Sequence, residues 1–133
     1  MIDFTTVVGK RAMAQLTAEQ IVWFTTVGTD HAPQPSPVWF RWDGEALLIF
    51  SRPDAPKVRN VAGNPQVALN FQKDALVIAA KAVASPDPPH PDEIAAYIEK
   101  YREGIPKVEP TPERFFAVYS TAIRVTPLRI RAN

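Results

Sequence analysis

Val38-Trp39-Phe40-Arg41-Trp42-Asp43-Gly44-Glu45-Ala46-Leu47-Leu48-Ile49-Phe50-Ser51 reads as two strands folded about a turn. Val38 to Trp42 is bulky and aromatic, Ala46 to Ser51 is apolar, and Asp43-Gly44 is a tight-turn dipeptide between them. Upstream, Ile21 to Val27 is a run of β-branched and aromatic residues that predicts a strand, with Gly28-Thr29-Asp30-His31 as its turn. Downstream, Val67, Leu69 and Phe71 alternate with Ala68, Asn70 and Gln72, the period of a half-buried strand. Leu76 to Ala84 reads as another strand, and Tyr119 to Thr126 as the closing one, ended by Pro127.

The helices are short. Phe4, Val8, Ala12 and Leu16 recur every four residues and make one apolar stripe. Thr17-Ala18-Glu19-Gln20 then has the spacing of a capping box and predicts a fresh turn. Asp54 to Ala62 reads as a helix with Asp54 as cap and Pro56 in its first turn, stopped by Gly63-Asn64-Pro65. After Pro91, helical spacing puts Ile94, Tyr97, Ile98 and Tyr101 on one apolar face, while Asp92, Glu93, Glu99, Lys100 and Arg102 occupy the solvated remainder. Thr111-Pro112-Glu113 opens a last helix. About six strands and three or four helices, joined by tight turns or single helices, predict a mostly antiparallel sheet closed as a small barrel, not a doubly wound parallel fold.

Composition narrows the function classes. A chain of 133 residues suits one domain, 1–133. Its net charge of +1 gives no field to draw it onto nucleic acid or membrane, so neither is an expected partner. Without cysteine there is no disulfide, thiolate metal site or Cys nucleophile. His31 and His90 lie in turn-rich loops without a second ligand at metal spacing, so no metal is expected. The apolar runs are too short to span a bilayer and Met1-Ile2-Asp3 does not resemble a signal peptide, which predicts a cytoplasmic protein. Phosphate-loop, dinucleotide and serine-hydrolase motifs are missing, so any chemistry is expected to come from a cofactor.

Two segments suit a cofactor. Pro33-Gln34-Pro35-Ser36-Pro37-Val38-Trp39-Phe40 is a stiff polar entry to an aromatic strand. Its prolines lack the N–H that a ladder needs, which leaves groups free for a ligand or simply makes an edge strand. Ser51 to Asn60 runs from a strand end into a helix start and carries Lys57 and Arg59, a cationic set that suits a phosphate or a solvated face equally. Val58, Val61 and Ala62 are expected to point inward, leaving Lys57 and Arg59 on opposite borders. Trp23, Trp39, Trp42, Phe40 and Phe50 could stack a flat ring, though aromatics in short strands usually belong to the core.

Taken with Trp42-Asp43-Gly44, Asn64-Pro65-Gln66-Val67, Glu99-Lys100-Tyr101-Arg102 and Tyr119 to Arg131, these segments resemble the flavin/deazaflavin oxidoreductases of the pyridoxamine-phosphate-oxidase-like class, in a branch using the deazaflavin coenzyme F420. The resemblance implies a six-stranded antiparallel split β-barrel. It also implies a homodimer with shared cofactor sites, in which Trp39 and Phe40 would be covered by a partner. Gln34, Ser36, Pro37, Val38 and Trp39 would run beside the ring, and Ser51, Lys57, Arg59 and Asn60 would take the phosphate-bearing tail. The partner's stretch 119–124 would complete the pocket. The implied activity is an F420-dependent reductase passing a hydride to a small unsaturated substrate. The alternatives are an FMN oxidoreductase on the same scaffold and a non-catalytic cofactor- or tetrapyrrole-binding protein. Lys81 departs from the small residue expected at its position and would either reach the cofactor or crowd it.

Overall fold

The computed structural model describes residues 2–85 and 87–132. The elements are α1 (Val7–Ala18), β1 (Ile21–Val27), β2 (Pro33–Trp39), β3 (Arg41–Trp42), β4 (Leu47–Ser51), α2 (Pro56–Gly63), β5 (Gln66–Asn70), β6 (Leu76–Ser85), α3 (Pro91–Lys100), α4 (Ile105–Val108), α5 (Pro112–Val118) and β7 (Thr121–Ala132). The strands form one antiparallel sheet in the order β2-β1-β5-β6-β7-β4-β3. The two end strands are consecutive in sequence, so the curled sheet is closed at Phe40 by the chain itself and not by a ladder. This is the expected antiparallel split barrel, with seven strands because the stretch 38–42 breaks at Phe40 into the end of β2 and a two-residue β3.

Phe40 lies between strands, so other groups meet its buried backbone. Its N–H donates to Tyr101 Oη at 2.8 Å, and the same hydroxyl donates to Gln20 O at 2.6 Å. Lys100 Nζ donates to Phe40 O at 2.7 Å and sits 3.7 Å from the centre of the Phe40 ring. The end of α3 therefore does at the split what a neighbouring strand does elsewhere. Lys100 is not part of a solvated face: burial, then nearby Arg41, push its pKa down to about 8 against the opposing pull of Glu19.

Proline explains two further departures from expectation. Pro33, Pro35 and Pro37 are not a lead-in; they lie within β2, opposite Val27, Thr25 and Trp23. Three prolines at alternate positions all place their missing N–H on the same side of the strand. Pairing with β1 is left to Gln34, Ser36 and Val38, and the free edge is blunted against further strand addition. Pro127 does not end β7, which continues to Ala132; the register with β6 shifts between Ala79 and Ala80 where Pro127 enters, and such an irregularity tolerates the lost donor.

The barrel interior is filled by Val22 and Phe24, Leu47 and Ile49, Leu69, Ile78, Ile123 and Val125, with Ala12 and Leu16 of α1 against one end. The Thr17–Gln20 box opens no new turn: α1 runs to Ala18, and its own start is capped by Thr6, which accepts from Gly9 N–H. In the β3–β4 turn Gly44 has φ +99°, and Asp43 Oδ1 accepts from the amides of Glu45 and Ala46. A second buried cluster is aromatic and lies under α3, α4 and α5; α4, with Pro106 in its first turn, brings the helices among the described residues to five. No helix among the described residues is long and apolar enough to cross a membrane.

Candidate functional site

A cleft of about 360 Å³ opens between the end of β2, the β4–α2 connection and the helices α3 to α5. Pro37, Val38 and Trp39 form one wall; Ser51, Arg52, Ala55 and Lys57 form the second; Phe50, Tyr97, Val108, Phe115 and Tyr119 form the floor and far side. Among the described residues the lining carries two cations and no carboxylate.

Lys57 stands in the first turn of α2 and is half-buried. Desolvation lowers its pKa from the ordinary lysine value, and it makes no ion pair among the described residues. An ammonium group that loses water and gains no counter-ion is a place where an anion binds favourably. Arg52 lies 5.4 Å from the centre of the Tyr119 ring at the same cleft. Ser51 is buried, and its hydroxyl donates to Arg52 O at 3.0 Å. Asp54 is not the cap of α2: Ala55 holds that position with no side-chain bond, so the first turn presents Lys57 without a carboxylate cap competing for an anion.

Trp39 is fixed by its neighbours. Its indole stacks on Tyr101 at 4.5 Å and 5°, and on Phe115 at 5.8 Å and 13°. Gly104 permits this approach, since a Cβ there would come within 2.9 Å of the indole. Trp39 is thus a packed wall. Tyr97 is 1% exposed, with Phe50 edge-on at 4.8 Å and Tyr101 at 4.9 Å. Burial, then the neighbouring Tyr101 and Tyr119, raise its phenol pKa well above the usual value.

Of the expected site residues, Pro37, Val38, Trp39, Ser51 and Lys57 meet in this cleft and the others do not. Asn60 Nδ2 donates to Thr26 Oγ1 and to Gln34 Oε1, both at 3.0 Å, a set that ties α2 to the β1–β2 hairpin. Ser36 lies opposite Phe24 and does not line the cleft. Arg59 is exposed and donates to Asp54 O at 3.1 Å. Ala62 is exposed and not inward; Val61 alone is buried in α2.

Trp23, Trp39, Trp42, Phe40 and Phe50 form no single ring-stacking cluster; most are packed into the two buried layers, as aromatics in short strands usually are. Phe40 is in the barrel core, Trp42 meets Phe4 edge-on at 6.0 Å, Trp23 is on the outer face, and Phe50 joins the α3–α5 layer. The buried Phe40 and packed Trp39 need no partner to cover them. Tyr119 reaches the cleft of its own chain, and Arg124 is held by Glu93 through two bonds at 2.7 and 2.8 Å, so Glu93 is engaged in an ion pair. Lys81 lies on the outer surface of β6 opposite Gln66 and Thr126, outside this cleft. His90 caps α3, its Nδ1 accepting from Asp92 N–H, and no metal-holding group of three acidic or histidine side chains occurs among the described residues.

The residues missed by sequence reading are Arg52, Tyr97, Val108 and Phe115. Tyr97 and Phe115 belong to apolar helix faces, where an aromatic reads as core. The available signal was the phenol, because a tyrosine in a buried stripe must send its hydroxyl to a partner or an opening.

Comparison with known proteins agrees with this architecture. A pyridoxamine 5'-phosphate oxidase-like protein from Listeria innocua superposes with a TM-score of 0.63 at 25% identity, over 92% of this chain and 94% of that one. An F420 reductase superposes with a TM-score of 0.63 at 23% identity, over 89% and 94%. The haem storage protein of Vibrio cholerae shares the fold with a TM-score of 0.70 at 16% identity, over 96% and 95%. No curated protein matches the chain at a significant level. The family model for pyridoxamine 5'-phosphate oxidase matches residues 8–132, nearly the whole length, and the chain belongs to that family.

Proposed function

We propose that the cleft binds a phosphate-bearing flavin or deazaflavin, with coenzyme F420 the preferred form, and that the protein is an F420-dependent reductase of small unsaturated substrates. The observation that carries this reading is Lys57, a half-buried ammonium with no ion-pair partner among the described residues, set beside aromatic walls. The volume lies near the lower end of small-molecule sites, room for a fused ring while a long anionic tail stays outside. Lys57 and Arg52 would meet the phosphate, with the Ser51 hydroxyl between them and the ring portion. Pro37, Val38 and the immobile Trp39 would shape the ring's edge. Bound there, a reduced deazaflavin supplies a hydride to an electron-poor double bond. The side chains bind, orient and exclude water, which suits a lining with no His, Asp or Glu among the described residues.

FMN on the same scaffold is the nearest alternative. Haem storage has less support, because among the described residues the cleft lining offers no His, Cys or Met to ligate iron, and tyrosine alone of the usual haem ligands. The protein would act as a homodimer, joined through the outer sheet face that carries Ile21, Trp23 and Val83, each more than a third exposed. Equilibrium titration with F420 and FMN side by side tests the reading. Tighter F420 binding supports it, tighter FMN binding moves the assignment to a flavin enzyme, and binding of neither rejects it.

A further inference from the structure

Resting on the coenzyme reading above, we propose that the Tyr97 hydroxyl is the hydrogen-bond donor that holds an oxygen acceptor of the molecule bound in the cleft. Tyr101 and Tyr97 lie one turn apart on α3 and face the same aromatic layer, yet their hydroxyls are treated differently. Tyr101 Oη is engaged at Phe40 and Gln20. Tyr97 Oη makes no hydrogen bond to any described residue, although the residue is 1% exposed and lines the cleft.

The Tyr97 ring is enclosed by Phe50, Tyr101, Phe115 and Phe116, at 4.8, 4.9, 6.2 and 6.0 Å between centroids. Those contacts account for the ring and leave the hydroxyl unaccounted for. Gln15 Oε1 is the one fully buried side-chain polar atom without a partner among the described residues, so the Tyr97 hydroxyl, at the cleft wall, is open to the cleft and free to donate to whatever binds there. Phenylalanine would fill the same space, so packing explains the ring and leaves the hydroxyl to the cleft.

The chemistry of the donor follows from its surroundings. Burial holds the phenol in its neutral form, so it donates a hydrogen bond and keeps its proton. The class of acceptor is a carbonyl-type oxygen on a ring, stabilised as electron density moves onto it. Lys57 and Arg52, with full charges, are the groups suited to the anionic end. The cleft is thereby divided into a neutral donor deep among aromatics and cations at the β4–α2 side.

The test is Tyr97→Phe in the full chain, with coenzyme affinity, the absorption band of bound coenzyme and thermal unfolding all measured. We expect affinity for F420 or FMN to fall about fivefold to tenfold, and the band of bound coenzyme to move toward that of free coenzyme. The unfolding midpoint of the ligand-free protein should stay where it is. Wild-type affinity and an unmoved band in Tyr97→Phe, with Lys57→Ala still weakened, would overturn the role of Tyr97 and leave the coenzyme reading intact. A wild-type protein that binds neither coenzyme removes the coenzyme reading and this donor with it.

Discussion

The barrel interior and the layer beneath α3–α5 are both buried, but they are built from different chemistry. The buried members of the first are aliphatic or phenylalanine, with no side-chain polar atom among them. Two of the four buried residues of the second, Tyr97 and Tyr101, are tyrosines, and Trp39 and Tyr119 pack against them. A core of pure hydrocarbon stabilises the sheet and offers nothing to a ligand. A core edged with phenols and an indole can exchange hydrogen bonds at its border, and the cleft lies along that border. Stability and binding should therefore separate on mutation.

The largest effect belongs to the barrel. Leu69→Ala deletes a fully buried side chain at the sheet centre and should cost about 2–5 kcal/mol in urea unfolding. Coenzyme affinity of the folded fraction should hold. A loss of binding without a loss of stability would erase the distinction between the two regions.

Next is Lys57→Ala, which removes a charge-assisted contact of about 1.5–3 kcal/mol and should weaken coenzyme binding about ten- to a hundredfold. Its unfolding midpoint should barely move. Arg59→Ala is the control, since Arg59 is outside the cleft and its loss should cost less. Equal losses for the two would mean that a long anionic tail reaches both.

Tyr101→Phe sharpens the contrast within the aromatic layer itself. It strands the buried Phe40 amide and should destabilise the protein by about 1–3 kcal/mol, with faster hydrogen exchange at the Phe40 N–H. Tyr97→Phe should do neither. Similar stability losses in both variants would show that the two phenols have the same structural task.

The smallest effect is electrostatic. The bonds from Arg124, then that from the His90 amide, hold Glu93 at a pKa of about 2, against the burial that would raise it. The depressed value means that the unfolded chain binds the proton more readily. The contribution is complete above the ordinary carboxylate value, about 4.3, and fades as pH falls through about 2. Glu93→Gln should flatten the acid limb of a stability–pH curve between those limits, and an unchanged limb would mean that other carboxylates dominate it.

Much of the sheet was legible in sequence because alternation and β-branching act locally. The limits of β1 match Ile21–Val27 as read, and β5 follows the Val67–Leu69 alternation. The errors fall where a tertiary partner overrides a local signal. The Thr17–Gln20 box lost to continued helix because β1 begins at once, and Pro127 was tolerated inside β7 because the ladder to β6 is irregular there. The candidate cleft was legible at Lys57, Ser51 and Pro37–Trp39, which line it as a strand end and a helix start. Gln34 and Asn60 share that polarity, but Asn60 Nδ2 donates to Gln34 Oε1 outside the cleft. Tyr97 was hidden because helical periodicity reports which face is buried and says nothing of what a hydroxyl meets once there.

The cleft beside Lys57 is the proposed coenzyme site. A crystal structure of the protein with F420 or FMN tests it most directly. A phosphate oxygen is expected within hydrogen-bond distance of Lys57 Nζ, and a ring oxygen facing Tyr97 Oη. Coenzyme density on the outer sheet face near Thr25, Ala68 and Arg129, with the Lys57 cleft empty, would contradict it.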